Sequence, residues 1–132
     1  MYIWVQRYIG IPFISNGRTK NGCDCYGLVR LVLNEVYDIL LPELSNEYTN
    51  ARVITETAKL FKEKIPVLGV KRIRAAEEKA LIVMRNEGQP CHLGIAAGNG
   101  CILHTNYKTG SVCQRESHPA LRGRIEGYYR VR

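Results

Sequence analysis

The stretch Asn21-Gly22-Cys23-Asp24-Cys25-Tyr26-Gly27-Leu28-Val29 marks the point where a loop gives way to a helix. Gly22 permits a sharp turn, since glycine reaches backbone conformations that are closed to other residues. Asp24 is a preferred N-cap residue. Beyond it, apolar side chains recur at helical spacing, at Leu28, Leu31, Val32 and Val36. The sequence therefore predicts a helix that begins at Cys25 and runs to about residue 37 or 40, because Pro42 cannot continue it.

This helix start gives the Cys25 thiol a particular chemical setting. Unpaired backbone N–H groups and the positive end of the helix dipole lie there. Such a setting favours the thiolate, which is the nucleophilic form of cysteine. Two alternatives stay open: Cys25 is a small buried hydrophobic residue, or its neighbour Cys23 is the reactive thiol.

Length and composition limit the architecture. The chain has 132 residues, 45% of them hydrophobic, which predicts a single domain over residues 1–132 with its own core. No apolar run approaches the ~20 residues that a membrane span requires. The first residues lack the pattern of a signal peptide, so we expect a protein made and folded in the cytoplasm. Five cysteines are an odd number, which favours free thiols over a disulfide framework.

The net charge of +7 indicates attraction to anionic surfaces. The basic residues are scattered, with Lys71-Arg72-Ile73-Arg74 as the nearest approach to a cluster, and no nucleic-acid-binding motif accompanies them. We therefore predict no nucleic-acid partner. A zinc site is a rival explanation of the cysteines and histidines, but Cys23 and Cys25 are too close together and no Cys-x-x-Cys pair occurs. We predict neither a metal nor a cofactor.

The rest of the chain predicts a second helix and then a sheet. Residues 2–9 are compatible with a short helix or a strand. Thr49 or Asn50 is the expected cap of a helix that ends at Pro66. Short apolar or alternating runs follow, separated by turn residues: Ala80–Met84, Leu93–Ala97, Ile102–Thr105, Ser111–Arg115 and Tyr128–Val131. Helices followed by an antiparallel sheet indicate the α+β class, with the helices packed on one side of the sheet.

Two histidines flank a hairpin signal, Gly98-Asn99-Gly100. A three-residue loop centred on Asn99 places His104 opposite Gly94, where the glycine leaves room for an imidazole. His92 is then a diagonal neighbour of His104 on the same sheet face, about 7–8 Å away between backbones. A two-residue loop would instead shift the register by one and place the histidines on opposite faces.

If the first register holds, three side chains form a hydrolytic constellation. His92 takes the proton of Cys25, and His104 accepts a hydrogen bond from the other ring nitrogen of His92 and so orients it. This is the nucleophile, base and orienting-residue arrangement of serine and cysteine hydrolases. The remaining histidine, His118, precedes a proline and is expected at the surface.

At these residues the chain resembles a known family. Asp24-Cys25-Tyr26-Gly27-Leu28-Val29 is similar to the signature of the NlpC-like cell-wall cysteine peptidases, and His92-Leu93-Gly94-Ile95 resembles the family's His-Val-Gly-Ile. His104 follows at the interval that the family uses for its third triad member. Further segments resemble members encoded with phage tail-assembly genes: Leu41-Pro42, Leu103-His104-Thr105, Gly110-Ser111-Val112 and Gly127-Tyr128-Tyr129-Arg130.

The resemblance implies a papain-like α+β fold and an activity. The implied reaction is hydrolysis of amide bonds in peptidoglycan stem peptides, next to D-glutamate and a diamino acid, through an acyl-enzyme on Cys25. His92 would be the general base and acid, His104 the orienting residue, and the backbone N–H of Cys25 an oxyanion donor. The implied setting is a phage tail, with tail proteins as partners and the virion as location. The alternative is a tail-assembly protein that keeps the fold without catalysis.

One departure from the family affects the expected substrate contacts. Many members carry a tyrosine near the nucleophile where this chain has Phe13, which has no hydroxyl to donate. Some stabilisation of the oxyanion is then either missing or supplied by Tyr26 or Tyr8. Together with Asp24, these tyrosines are the candidate substrate-binding residues.

Overall fold

The computed structural model describes residues 1–131 and has the α+β architecture that the sequence predicts. A 3₁₀ helix, Ile3–Tyr8, opens the chain, and a second short 3₁₀ segment, Ile65–Val67, follows the second α-helix. The α-helices are α1 (Cys25–Tyr37) and α2 (Ile54–Lys64). The strands are β1 (Arg18–Thr19), β2 (Gly22–Cys23), β3 (Lys71–Ile73), β4 (Leu81–Asn86), β5 (Gln89–Gly98), β6 (Cys101–Asn106), β7 (Gly110–Arg115) and β8 (Ile125–Arg130).

Six strands form the main sheet, in the order β3-β8-β4-β5-β6-β7, and every neighbouring pair is antiparallel. The five predicted strands are present with shifted ends. Strand β3 was missed, since Lys71 to Arg74 reads as solvated charge rather than as a strand. It pairs with β8 at the edge of the sheet, where exposed basic side chains discourage pairing with another chain. The hairpin of β1 and β2 was also missed.

Helix α1 follows the prediction closely. It begins at Cys25, and the Asp24 side chain accepts a hydrogen bond from the backbone N–H of Gly27, as expected of an N-cap. It ends at Tyr37, after which Asp38 adopts the left-handed conformation with φ of 55°. Its buried face packs against β5 and β6. The prediction of a helix that begins at Cys25 with Asp24 as its cap is thus confirmed.

Helix α2 differs from the prediction at its start. Val53 occupies the N-cap position and makes no side-chain cap, so the assignment of Thr49 or Asn50 as the cap is wrong. Thr49 instead bonds Glu56 through its backbone N–H and its hydroxyl, and so ties the preceding loop to the first turn. The helix ends at Lys64, before Pro66, as expected.

The sheet is apolar on both faces. One face packs with α1, α2 and the N-terminal 3₁₀ helix into the larger core, which includes Leu28, Leu93, Ile95 and Leu103. A smaller cluster on the other face is covered by Leu121 from the 118–124 segment. None of the helices in residues 1–131 combines the length and apolar character needed to cross a membrane.

The β5–β6 hairpin has the predicted pairing but a different turn. Gly98 pairs with Cys101, so the loop has only Asn99 and Gly100, both with positive φ (54° and 72°) as in a type I′ turn. The register then shifts by one between Ala96 and Gly98, as in a β-bulge. Ile95 therefore pairs with Leu103, the register that a three-residue loop would have given. The predicted pairing is confirmed, and the predicted loop length is wrong.

Two glycines have roles that the sequence did not indicate. Gly22 has no positive φ, and a Cβ there would lie 2.1 Å from the Ile14 side chain, so it allows close packing and not a special turn. A Cβ at Gly94 would lie 2.6 Å from the side chain of Ile102. Gly94 therefore makes room for an isoleucine, and the expectation that it makes room for an imidazole is wrong.

Candidate active site

Cys25 occupies the first position of α1, and its side chain is buried. The backbone N–H groups of Leu93 and Tyr26 lie near its sulfur and favour the thiolate. Burial, and then the nearby Asp24 carboxylate, raise the pKa of the Cys25 thiol to about 12, although these two N–H groups act in the opposite direction. The expectation that the helix start favours the thiolate is therefore corrected: in this structure the resting thiol is protonated at neutral pH.

His92 and His104 meet in a cleft that Cys25 also lines. Nε2 of His92 lies 2.9 Å from Nδ1 of His104, and the two rings are nearly perpendicular, at 81°. Burial lowers the pKa of His92 to about 3, with further lowering from His104 and Arg124. Burial also lowers the pKa of His104. Both imidazoles are therefore neutral at pH 7, and the second ring nitrogen of His92, Nδ1, is not used in the contact with His104.

Gln114 continues the chain of polar contacts. Its Oε1 lies 2.7 Å from Nε2 of His104. Gln114 is on β7, where it pairs with Ile102, so it is the diagonal neighbour of His104 on the next strand. The strand was predicted from the sequence but this residue was not, because no signal in the sequence gives the register of β6 with β7.

These side chains line a cleft of about 630 Å³. Phe13 lies in its wall, at the place where the family resemblance would put a tyrosine. Basic residues dominate the charged part of the lining, with Arg52, Lys108 and Arg124 against the single carboxylate of Glu87. Arg52 stacks on the ring of Tyr107, its guanidinium carbon 3.7 Å from the ring centroid. The cleft thus combines a thiol, two imidazoles and cationic walls.

The carboxylate of Asp24 is turned away from this cleft. It is 1% exposed and accepts hydrogen bonds from the backbone N–H groups of Asn16 and Gly27, from Arg18 and from the hydroxyl of Tyr48. All of its hydrogen-bonding capacity is used within the protein. This placement counts against the predicted substrate-binding role of Asp24 and assigns it to the support of the helix start.

The two candidate tyrosines also lie outside the cleft lining. Tyr26 donates its hydroxyl hydrogen bond to the backbone carbonyl of Pro42, at 2.6 Å. Tyr8 donates to Glu35, at 2.7 Å. Both rings are 2% exposed. Neither tyrosine is part of the cleft lining, where Phe13 lies.

The other thiols and the third histidine have different surroundings. Cys23 is fully buried in β2, and burial raises its pKa to about 12. It does not line the cleft, so it is a neighbour of the nucleophile candidate, as predicted. His118 is exposed, also as predicted. Within residues 1–131, no group of His, Cys, Asp or Glu side chains is arranged to hold a metal ion.

Comparison with known proteins identifies the family of this chain. The sequence profile of the NlpC/P60 family matches residues 10–125. The chain belongs to the NlpC/P60 family. With Cys25 at the start of α1, this membership makes the chain a cysteine peptidase. A search of curated protein sequences found no match.

Solved NlpC/P60 structures share the fold. The NlpC/p60 domain of the peptidoglycan hydrolase SagA superposes with a TM-score of 0.62 at 19% identity, over 96% of this chain and 92% of that one. An NlpC/P60 family protein from Bacillus cereus gives 0.65 at 18% identity, over 95% of this chain and 37% of that one. A lipoprotein-like family member from Staphylococcus aureus superposes with a TM-score of 0.62 at 21% identity, over 96% of this chain and 38% of that one. This chain spans only a part of the last two proteins.

Proposed function

We propose that this NlpC/P60 chain is a cell-wall endopeptidase that hydrolyses amide bonds in peptidoglycan stem peptides, next to D-glutamate and a diamino acid. The observation that carries the proposal is the convergence of Cys25, His92 and His104 in one cleft, with the two imidazoles 2.9 Å apart. The family match and the fold shared with the peptidoglycan hydrolase SagA support the substrate class. The basic lining adds support, because stem peptides carry free carboxylates.

In the first half of the proposed reaction, the Cys25 sulfur attacks the scissile carbonyl carbon while Nδ1 of His92 takes the thiol proton. The carbonyl oxygen becomes negatively charged, and the backbone N–H of Cys25, at the helix start, is the proposed donor to it. The imidazolium of His92 then gives its proton to the leaving amine as the carbon–nitrogen bond breaks. A thioester on Cys25 and a free amine result.

In the second half, His92 takes a proton from water, and the water oxygen attacks the thioester carbon. Sulfur leaves, and the proton on His92 returns to it, so the free acid is released and the resting thiol is restored. His104 holds the His92 ring throughout. Because both resting groups are neutral, the proton transfer from Cys25 to His92 accompanies attack and is not complete before substrate binds.

The test is digestion of purified peptidoglycan and of a soluble stem peptide, L-Ala-γ-D-Glu-diamino acid, with products identified by mass spectrometry. We expect a new amine on the diamino acid. Cys25→Ala should abolish the products, whereas Cys101→Ala, at a partly exposed thiol outside the cleft lining, should retain them. Undigested substrate under all conditions, or full activity of Cys25→Ala, would overturn the proposal.

We further propose that the enzyme acts as a component of a phage or prophage tail, with tail proteins as partners and the host wall as its site of action. The support is the resemblance of several segments, such as Gly127-Tyr128-Tyr129-Arg130, to tail-associated members, together with the net charge of +7. Mass spectrometry of purified particles should detect the chain. Particles that form with Cys25→Ala but digest no wall would separate catalysis from an assembly role.

A further inference from the structure

Three polar side chains on three neighbouring strands form a continuous relay. His92 is on β5, His104 on β6 and Gln114 on β7. The contacts are 2.9 Å between the two imidazoles and 2.7 Å between His104 and the amide. All three side chains line the cleft that contains Cys25. The relay therefore runs from the candidate base, His92, to the amide oxygen of Gln114, within the cleft that Cys25 also lines.

The chemistry of an amide oxygen fixes the protons along this relay. Oε1 of Gln114 can only accept, so Nε2 of His104 carries a hydrogen. A neutral imidazole has one N–H, which leaves Nδ1 of His104 as an acceptor. That nitrogen accepts from Nε2–H of His92, and the single N–H of His92 is then used as well. Nδ1 of His92 is left with a lone pair.

The opposite orientation of the Gln114 amide would move the hydrogen of each imidazole to its other ring nitrogen. A Gln114 NH₂ group facing His104 would require an acceptor at Nε2 and place the hydrogen on Nδ1. That N–H would donate to Nε2 of His92 and force the remaining hydrogen onto Nδ1 of His92. A base protonated at that nitrogen cannot accept the thiol proton. The orientation of one amide thus decides whether the base is competent.

We propose that Gln114 is a positioning residue that sets the tautomer of both histidines and so keeps Nδ1 of His92 unprotonated for Cys25. This inference rests on the proposed peptidase mechanism and adds to it a residue two contacts from the candidate base, His92. The other groups whose charge acts on the two rings are Arg124, which affects both, and His118, which affects His104. The guanidinium of Arg124 is itself held by the backbone carbonyls of Arg85 and Ala120.

The first experiment reads the tautomers in the resting enzyme. Nitrogen-15 NMR of imidazole-labelled protein should show both rings as the Nε2–H form in the wild type. Gln114→Met, which has no oxygen to accept, should give a mixture of tautomers at His104 and His92. A ring with its hydrogen on Nδ1 in the wild type, or unchanged tautomers in Gln114→Met, would overturn the inference. This readout needs no turnover, so it stands apart from the outcome of the peptidase assay.

The second experiment uses hydrolysis of the stem peptide. Gln114→Met should lower kcat by about 10- to 100-fold, as is usual for residues that orient a reactive side chain, with little change in KM. Gln114→Glu keeps an acceptor and should restore most of kcat, with the acidic limb of the kcat/KM profile moved to higher pH because a carboxylate favours the imidazolium. Gln89→Met, at an exposed site on β5, is the matched control and should match the wild type. Equal loss in Gln114→Glu and Gln114→Met would contradict the inference.

Discussion

Nη1 of Arg18 lies 3.0 Å from Oδ1 of Asp24, immediately before the first turn of α1. Both side chains are largely buried, at 9% and 1% exposure. The same carboxylate caps the helix through Gly27 and binds Tyr48, so one buried group ties the β1–β2 hairpin and the 42–50 loop to the residue before Cys25. The position of the nucleophile candidate therefore depends on a charge that has no part in the cleft.

Asp24→Ala should destabilise the protein severely. It removes the cap and leaves the Arg18 guanidinium without its buried partner, and breaking such a pair costs about 3–5 kcal/mol. Urea unfolding followed by circular dichroism measures the loss. Glu63→Ala, which removes an exposed i,i+4 pair with Lys59, is the control and should cost less than about 0.5 kcal/mol. Similar losses in the two variants would contradict this assignment of Asp24.

Gly27→Ala should disrupt the helix start for a steric reason. A Cβ at this position would lie 2.0 Å from the carbonyl oxygen of Gly17, which is backbone and cannot rotate away. Gly127→Ala is the control, since the atoms nearest to its Cβ would belong to the Arg72 side chain, at 3.0 Å, and a side chain can shift where backbone cannot. Thermal unfolding should show a large loss of stability for Gly27→Ala and a small one for Gly127→Ala. Comparable melting temperatures would contradict the close approach.

The Cys25 thiol should be slow to react with iodoacetamide at neutral pH. Burial raises its pKa to about 12, so the thiolate fraction is small and grows with pH. Peptide mapping after timed labelling should show Cys101, which is partly exposed, modified first, and the rate at Cys25 rising steadily through the alkaline range. A pH-independent plateau of Cys25 labelling around neutrality would instead indicate a preformed thiolate–imidazolium pair.

Phe13→Tyr should raise kcat on the stem peptide by about tenfold or more. One hydrogen-bond donor to the oxyanion contributes a factor of about 10²–10³ to kcat where its geometry is ideal. Phe13 already lines the cleft with Cys25, so the added hydroxyl enters the reaction site. Tyr26→Phe removes a hydroxyl that bonds Pro42 outside the cleft lining, and it should leave kcat unchanged. A Phe13→Tyr variant no faster than the wild type would show that oxyanion stabilisation is already complete.

Stability should fall on mild acidification because of the two neutral histidines. The pKa of His92 is lowered from 6.5 to about 3, and that of His104 is lowered too. Below pH 6.5 the two histidines are therefore protonated in the unfolded chain while they stay neutral in the folded protein, so protonation favours unfolding. Each such ring adds up to about 1.4 kcal/mol of lost stability per pH unit. Urea midpoints between about pH 6.5 and 5, above the range where carboxylates titrate, should show this slope.

The double variant His92→Asn/His104→Asn should flatten that dependence, whatever its absolute stability. His118→Asn, at an exposed site, should retain the wild-type slope. An unchanged slope in the double variant would mean that the two rings are protonated in the folded protein at mildly acidic pH, contrary to their burial.

Local signals in the sequence predicted the elements of the site well. The Asp24 cap and the helical spacing after it placed Cys25 at a helix start, and the turn residues around Asn99 placed both histidines on one hairpin. These features depend on interactions between residues that are close together in the sequence. Residue type and hydrophobic periodicity are therefore enough to predict them. The pairing of Ile95 with Leu103 was predicted even though the turn that produces it is shorter, because the bulge restores the register.

Features that depend on long-range packing were not predicted. Gln114 reaches His104 only through the register of β6 with β7, and Asp24 meets Tyr48 from another loop. The protonation state of the site was predicted wrongly, because the helix start argues for a thiolate while burial argues for a thiol, and burial is a property of the whole fold.

The sequence by itself thus determined which side chains are the candidates for the chemistry and on which elements they lie. The tertiary structure alone decided which of these side chains are in contact, which of them lie outside the cleft and stabilise the fold, and which protons they carry. The physical reason is that secondary structure follows from neighbours along the chain, whereas desolvation and hydrogen bonding follow from neighbours in space.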